Sequence, residues 1–153
     1  MKYPQVLMKP LLQWMNFFYL CVIMKELILP NSGTELLKVH PYDIMYIEAD
    51  GNYCRMHLTG GFEQQLWFSR QKFIAVIDEQ LKTEKPMFVV VGRSYIINLS
   101  FIYRINPVQG ELILFDSSNP AQTTLHASQE ALNRLKRELL VSLNRETYAN
   151  GHE

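Results

Sequence analysis

The chain has 153 residues, enough for one ordinary domain and too short for two comfortable ones. Its apolar share of 48% and charged share of 20% exclude long disorder, collagen and coiled coil. Fifteen basic and fifteen acidic residues cancel, so net charge alone does not point to nucleic acid.

Residues 1–24 form an N-terminal apolar extension. Lys2 and Lys9 are its only charges, and all fifteen acidic residues lie after residue 25. Residues 25–153 therefore carry 13 basic and 15 acidic groups. Any DNA contact there needs a local patch. The run at residues 10–24, PLLQWMNFFYLCVIM, is broken by Gln13 and Asn16. It falls short of the ~20 apolar residues of a spanning helix. It also lacks the small-residue cleavage site of a signal peptide. Three readings stay open: a short helix packed on the domain, a membrane-surface anchor, or a segment not normally translated. The last rests on Met24-Lys25, which directly precedes the first patterned segment.

The domain is expected over residues 25–148. Residues 26–29 and 35–39 read as short strands around the turn cluster Pro30-Asn31-Ser32-Gly33. Asp43 to Ala49 is apolar on both faces and reads as a buried central strand. Asp50-Gly51-Asn52 supplies turn chemistry. Tyr53 to Leu58 alternates: Cys54, Met56 and Leu58 on one face, Tyr53, Arg55 and His57 on the other. Cys54 is thus predicted to point inward. Gly60-Gly61 turns the chain into a strand over Gln64 to Phe68. Ser69 then caps a helix carrying Phe73, Val76, Ile77 and Leu81, ended by Lys85-Pro86. Strands follow at Phe88–Val91, Tyr95–Leu99, Ile102–Ile105, Leu112–Phe115 and Thr123–His126. Ser128 caps a terminal helix whose stripe is Leu132, Leu135, Leu139 and Leu143. The end of that stripe is a candidate dimer seam. Residues 149–153 read as a tail. The fold class is mainly β: short antiparallel sheets with one inserted helix and a C-terminal helix.

No phosphate-binding glycine loop, dinucleotide fingerprint or nucleophile elbow is present. Cys21 and Cys54 support neither a disulfide framework nor a four-ligand zinc site, and fit reduced thiols in the cytoplasm. His40, His57, His126 and His152 have no ligand spacing. Glu48 and Asp50 share a strand face without an accompanying nucleophile, and read as a polar strand end. No catalytic residue, metal, cofactor or small-molecule substrate is expected, and the chain is not read as an enzyme.

Three stretches stand together: Asp43-Ile-Met-Tyr-Ile-Glu-Ala-Asp-Gly-Asn-Tyr53, the helix Ser69–Leu81, and Phe88-Val-Val-Val-Gly-Arg-Ser-Tyr-Ile-Ile-Asn98 followed by Ile102. Their order and spacing resemble the LytTR family of DNA-binding domains of bacterial transcriptional regulators, over roughly residues 26–135. The resemblance implies a mainly β fold that inserts loops, not a recognition helix, into the grooves of double-stranded DNA. It places Asn52 and Tyr53 in one DNA-reaching loop and Arg93 in another. Near the last strand, Ser128 or Gln129 stands where the family carries its Arg. Asn can pair with adenine, and Arg with guanine or phosphate. Ser94, Tyr95 and Asn98 also match, as structural residues. The departures are Val90 and Gly92 in place of Arg and His, and Gln129 in place of Arg. The resemblance further implies a homodimer on paired DNA sites. The chain leaves no room for a receiver domain, so a stand-alone LytTR domain is expected. The leading function is a sequence-specific transcriptional regulator. The alternative is a β-rich interaction module that has lost DNA binding.

Overall fold

The computed structural model describes residues 25–82 and 86–150. The readings made on residues 1–24, Cys21 and His152 lie outside the described residues, as do residues 151–153. The strands are β1 (Leu27–Pro30), β2 (Leu36–Val39), β3 (Ile44–Asp50), β4 (Tyr53–Leu58), β5 (Glu63–Leu66), β6 (Phe88–Val91), β7 (Tyr95–Asn98), β8 (Ile102–Asn106), β9 (Glu111–Leu114) and β10 (Thr123–His126). Two α-helices join them, α1 (Arg70–Leu81) and α2 (Gln129–Asn150). The fold is mainly β, as its sequence implies. It comprises a β1-β2 hairpin, a central sheet of order β5-β4-β3-β7-β6, and a third sheet of order β10-β9-β8, all antiparallel.

The central sheet separates two cores. On one side Leu27, Leu29, Ile44, Ile47, Cys54, Met56, Leu66, Phe68, Phe73 and Ile96 pack together, bringing the β1-β2 hairpin and α1 onto the sheet. On the other, Met45, Tyr46, Val91 and Ile97 meet Leu112, Leu114 and Leu125 of the third sheet and Leu132 and Leu135 of α2. This explains why β3 reads as apolar on both faces: Ile44 to Ile47 are all buried. Simple alternation would pair Ile44 with Tyr46. The β3-β4 register shifts between these two residues, and the bulge moves Ile44 and Ile47 onto one side, Met45 and Tyr46 onto the other.

Local chemistry sets the helix starts. The Ser69 hydroxyl accepts from the Lys72 amide at 3.3 Å, and the Ser128 hydroxyl from the Ala131 amide at 3.2 Å. Each cap contributes about 1 kcal/mol. Along α2, Leu132 and Leu135 are buried and Leu139 packs at the core edge, while Leu140, Val141 and Leu143 are exposed. The helix runs through Ala149 and Asn150, which the sequence reading assigns to the tail. β5 ends at Leu66, short of the expected Phe68. There the Trp67 amide leaves the ladder and donates to the Asn31 side-chain oxygen at 2.8 Å.

Asn98 is fully buried and ties three segments together. Its amide nitrogen donates to the carbonyls of Pro41 (3.3 Å) and Ile44 (2.9 Å). Its oxygen accepts from the Ser100 amide (3.1 Å) and hydroxyl (2.7 Å). The expected structural part for Asn98 is therefore the observed one.

Candidate nucleic-acid interface

One end of the central sheet gathers the turns that matter. Asp50 pairs with Tyr53, leaving Gly51 and Asn52 as the two-residue β3-β4 turn. Gly51 takes φ 62°, a left-handed conformation that suits a glycine-first hairpin turn. Asn52 is exposed, and its side chain has no hydrogen-bond partner among the described residues. The β6-β7 turn, Gly92-Arg93-Ser94, lies at the same end. The Ala49 amide donates to the Ser94 carbonyl at 2.7 Å, continuing the β3-β7 ladder to its last rung. Neighbouring strands lie ~4.8 Å apart. Two such spacings separate the centres of the two turns in the strand order, which places them about 10 Å apart.

Arg93 is exposed and has no carboxylate or hydrogen-bond partner among the described residues. No structural salt bridge to Arg93 is formed among the described residues. Two other arginines at this end are paired: Arg55 with Asp50 at 3.4 Å, and Arg134 with Glu130 at 3.6 Å. The Arg70 guanidinium donates to the Gly92 carbonyl at 3.0 Å and ties the start of α1 to the β6-β7 turn. Gly92 takes φ 60°, and a Cβ added there would meet the Ala131 Cβ at 3.9 Å. The turn thus sits against the first turn of α2.

That contact opens a concavity of about 1000 Å³ between the β6-β7 turn and α2, whose lining includes Gly92, Arg93, Ser128, Ala131, Arg134 and Glu138. The structure so brings Arg93 and Ser128 together. Gln129 lies elsewhere. It lines a separate shallow surface with Asn133, Lys136 and Arg137, on another side of α2. Tyr53 is 47% exposed and packs edge-to-face on Trp67, itself 54% exposed, with ring centroids 5.4 Å apart. Sequence reasoning missed Trp67. It falls inside the expected strand Gln64–Phe68, where alternation with the buried Leu66 and Phe68 faces it outward.

The remaining polar clusters read as structure. The His57 ring stacks on Tyr46 at 4.1 Å and sits between the carboxylates of Glu48 (3.1 Å) and Glu63 (3.4 Å). Burial, reinforced by Glu48, pushes the Tyr46 hydroxyl up to about 12. The Cys54 thiol is fully buried, donates to the Phe68 carbonyl at 3.2 Å, and is pushed up to about 11 by burial. Among the described residues no group of three or more His, Cys, Asp or Glu could hold a metal ion, and no helix is long and apolar enough to cross a membrane.

The fold is thus a three-sheet antiparallel β domain with two exposed polar turns at one end of its central sheet. The model of the LytTr DNA-binding domain matches residues 34–140, and the chain belongs to that family. Among solved structures, it is similar to the LytTr DNA-binding domain of a Bacillus cereus response regulator. That match has a TM-score of 0.52 at 19% identity and covers 75% of this chain and 96% of that one. At that identity the likeness bears on the fold. A search of curated proteins gives no match.

Proposed function

We propose that this protein is a sequence-specific, DNA-binding transcriptional regulator of the cytoplasm that reads double-stranded DNA with turns rather than a helix. The observation that carries the reading is the placement of two polar side chains without a partner among the described residues, Asn52 and Arg93, on turns about 10 Å apart at one sheet end. The major groove is ~12 Å wide and admits one two-stranded ribbon, so one hairpin turn enters it while the other meets the DNA alongside. In this reading Arg93 pairs with guanine or a phosphate, and Asn52 with a base edge. Tyr53 stands beside the groove. Ser128, at the start of α2, offers its hydroxyl to a phosphate, since its oxygen already caps the helix. Gln129 lies about 100° round α2 from Ser128, outside the concavity that holds Arg93, so Ser128 is the better occupant of the family's basic position. Two copies on paired sites would add the contacts a single neutral domain lacks.

A second reading, a β-rich interaction module, draws on the exposed Tyr103–Phe115 pair of the third sheet, with ring centroids 6.1 Å apart. Gel-shift titration over a salt series separates the two. Regulator activity gives a selected duplex bound well above an unrelated one, with affinity falling as salt rises. Equal, negligible retention of both duplexes at low salt refutes the regulator reading.

A further inference from the structure

We infer that the DNA interface extends past the two turns onto a third segment, the β5-α1 connection, where Trp67 contacts the DNA backbone rather than a base. The inference rests on the DNA-binding reading above and adds a contact to it.

Its first support is position. Cys54 pairs with Leu66, so Tyr53 and Trp67 face one another one step further toward the sheet end that carries Asn52 and Arg93. Trp67 therefore lies on the same edge, on the β5 side. The second is distance. From the centre of the β3-β4 turn to β5 is one and a half strand spacings, about 7 Å, and it runs away from Arg93. With the β3-β4 turn centred in a groove ~12 Å wide, whose walls lie about 6 Å from its centre, a side chain about 7 Å to one side falls on the phosphate wall. The third is exposure. Trp67 leaves 54% of its surface in water and Tyr53 47%, two large rings side by side at this edge. The Tyr53 edge holds the indole in place, and the indole N–H has no acceptor among the described residues. A phosphate oxygen or a deoxyribose face suits that ring and its single donor. Arg70, three residues on, keeps the same connection fixed to the β6-β7 turn through the Gly92 carbonyl.

The full chain has two tryptophans, Trp14 and Trp67, so Trp14→Phe leaves Trp67 as the only indole reporter. The probe is a fluorescein-labelled duplex of mixed sequence at low salt, because a backbone contact does not depend on sequence. Binding is read twice, by anisotropy of the label and by tryptophan emission. The expected result is a change in Trp67 emission that tracks the anisotropy. In the Trp14→Phe background, Trp67→Ala and Trp67→Phe should each weaken binding about three- to tenfold, the loss of one good hydrogen bond. The loss should be equal on selected and unrelated duplexes, with an unchanged salt slope. Binding seen by anisotropy with silent emission and no effect of either substitution overturns the inference and leaves the DNA reading standing. A loss confined to the selected duplex also overturns it, by making Trp67 a base reader. No anisotropy change for any duplex refutes both.

Discussion

Arg93→Ala is the sharpest perturbation of the proposed interface. Arg93 is exposed, lies in a turn, and has no carboxylate within ion-pair distance among the described residues. Its removal breaks no hydrogen bond or ion pair among the described residues, so stability should change by no more than about 0.5 kcal/mol, the usual range for surface positions. Binding should lose about 1–3 kcal/mol, roughly five- to 150-fold. A labelled duplex titrated at several salt concentrations measures both the loss and its kind. If Arg93 reads guanine, the loss falls on the selected sequence and leaves unrelated DNA nearly untouched. If it neutralises a phosphate, every sequence weakens and the salt slope falls by about 0.9. Arg93→Lys sharpens the choice, since lysine keeps the charge but loses the planar fork that grips guanine. The reasoning is refuted if folded Arg93→Ala binds the selected duplex as tightly as the parent.

Three further outcomes test the frame that holds this edge. Cys54 should resist thiol reagents at neutral pH while the unfolded chain reacts at once, because the thiol is buried and its ionisation is pushed up to about 11; rapid labelling of the native protein would turn β4 inside out. Asn98→Ala should cost about 1–3 kcal/mol in a denaturant titration, since the Pro41 and Ile44 carbonyls lose their buried donor; an unchanged midpoint would remove Asn98 from the frame. Asp116 gives an acid limb to stability. Burial raises its carboxyl, but hydrogen bonds from the Gly60 amide (2.7 Å) and from the Ser118 hydroxyl and amide outweigh it, so the folded value is lowered. The contribution is complete above the unfolded value of about 4 and is lost as pH falls through the folded one. Asp116→Asn should flatten the decline of melting temperature over that window, and a parallel decline would show the charge is not used.

Much of the fold is legible because half-buried strands alternate. Cys54 and Met56 face in and Tyr53 faces out, and β4 spans the residues expected of it. What stays hidden is set by contacts between distant segments. The bulge that sends Ile44 and Tyr46 to opposite cores depends on pairing with β4, and no property of the run IMYI announces it. Trp67 leaves the ladder because Asn31, far away in the chain, takes its amide. The Ser128-or-Gln129 ambiguity has the same origin. Adjacent residues on a helix point about 100° apart, and only the approach of Ala131 to Gly92 decides which of them shares a concavity with Arg93.

The charge balance of residues 25–153 bears on how such an edge could find its site. Only Arg93 and Arg70 supply cations at the two turns without a carboxylate partner among the described residues, and Arg70 is already bonded to Gly92. If the edge neutralises about three phosphates, affinity should fall roughly 40-fold between 50 and 200 mM salt. A protein with six to ten phosphate contacts loses about a thousandfold or more over the same range. The proposed regulator would therefore hold unrelated DNA weakly, and base contacts by Asn52 and Arg93 would make up an unusually large share of its affinity. Each such contact discriminates by about 1–3 kcal/mol, so two such turns yield modest specificity. Two tethered copies on paired sites would multiply it. The charge balance thus favours the proposed homodimer on paired DNA sites.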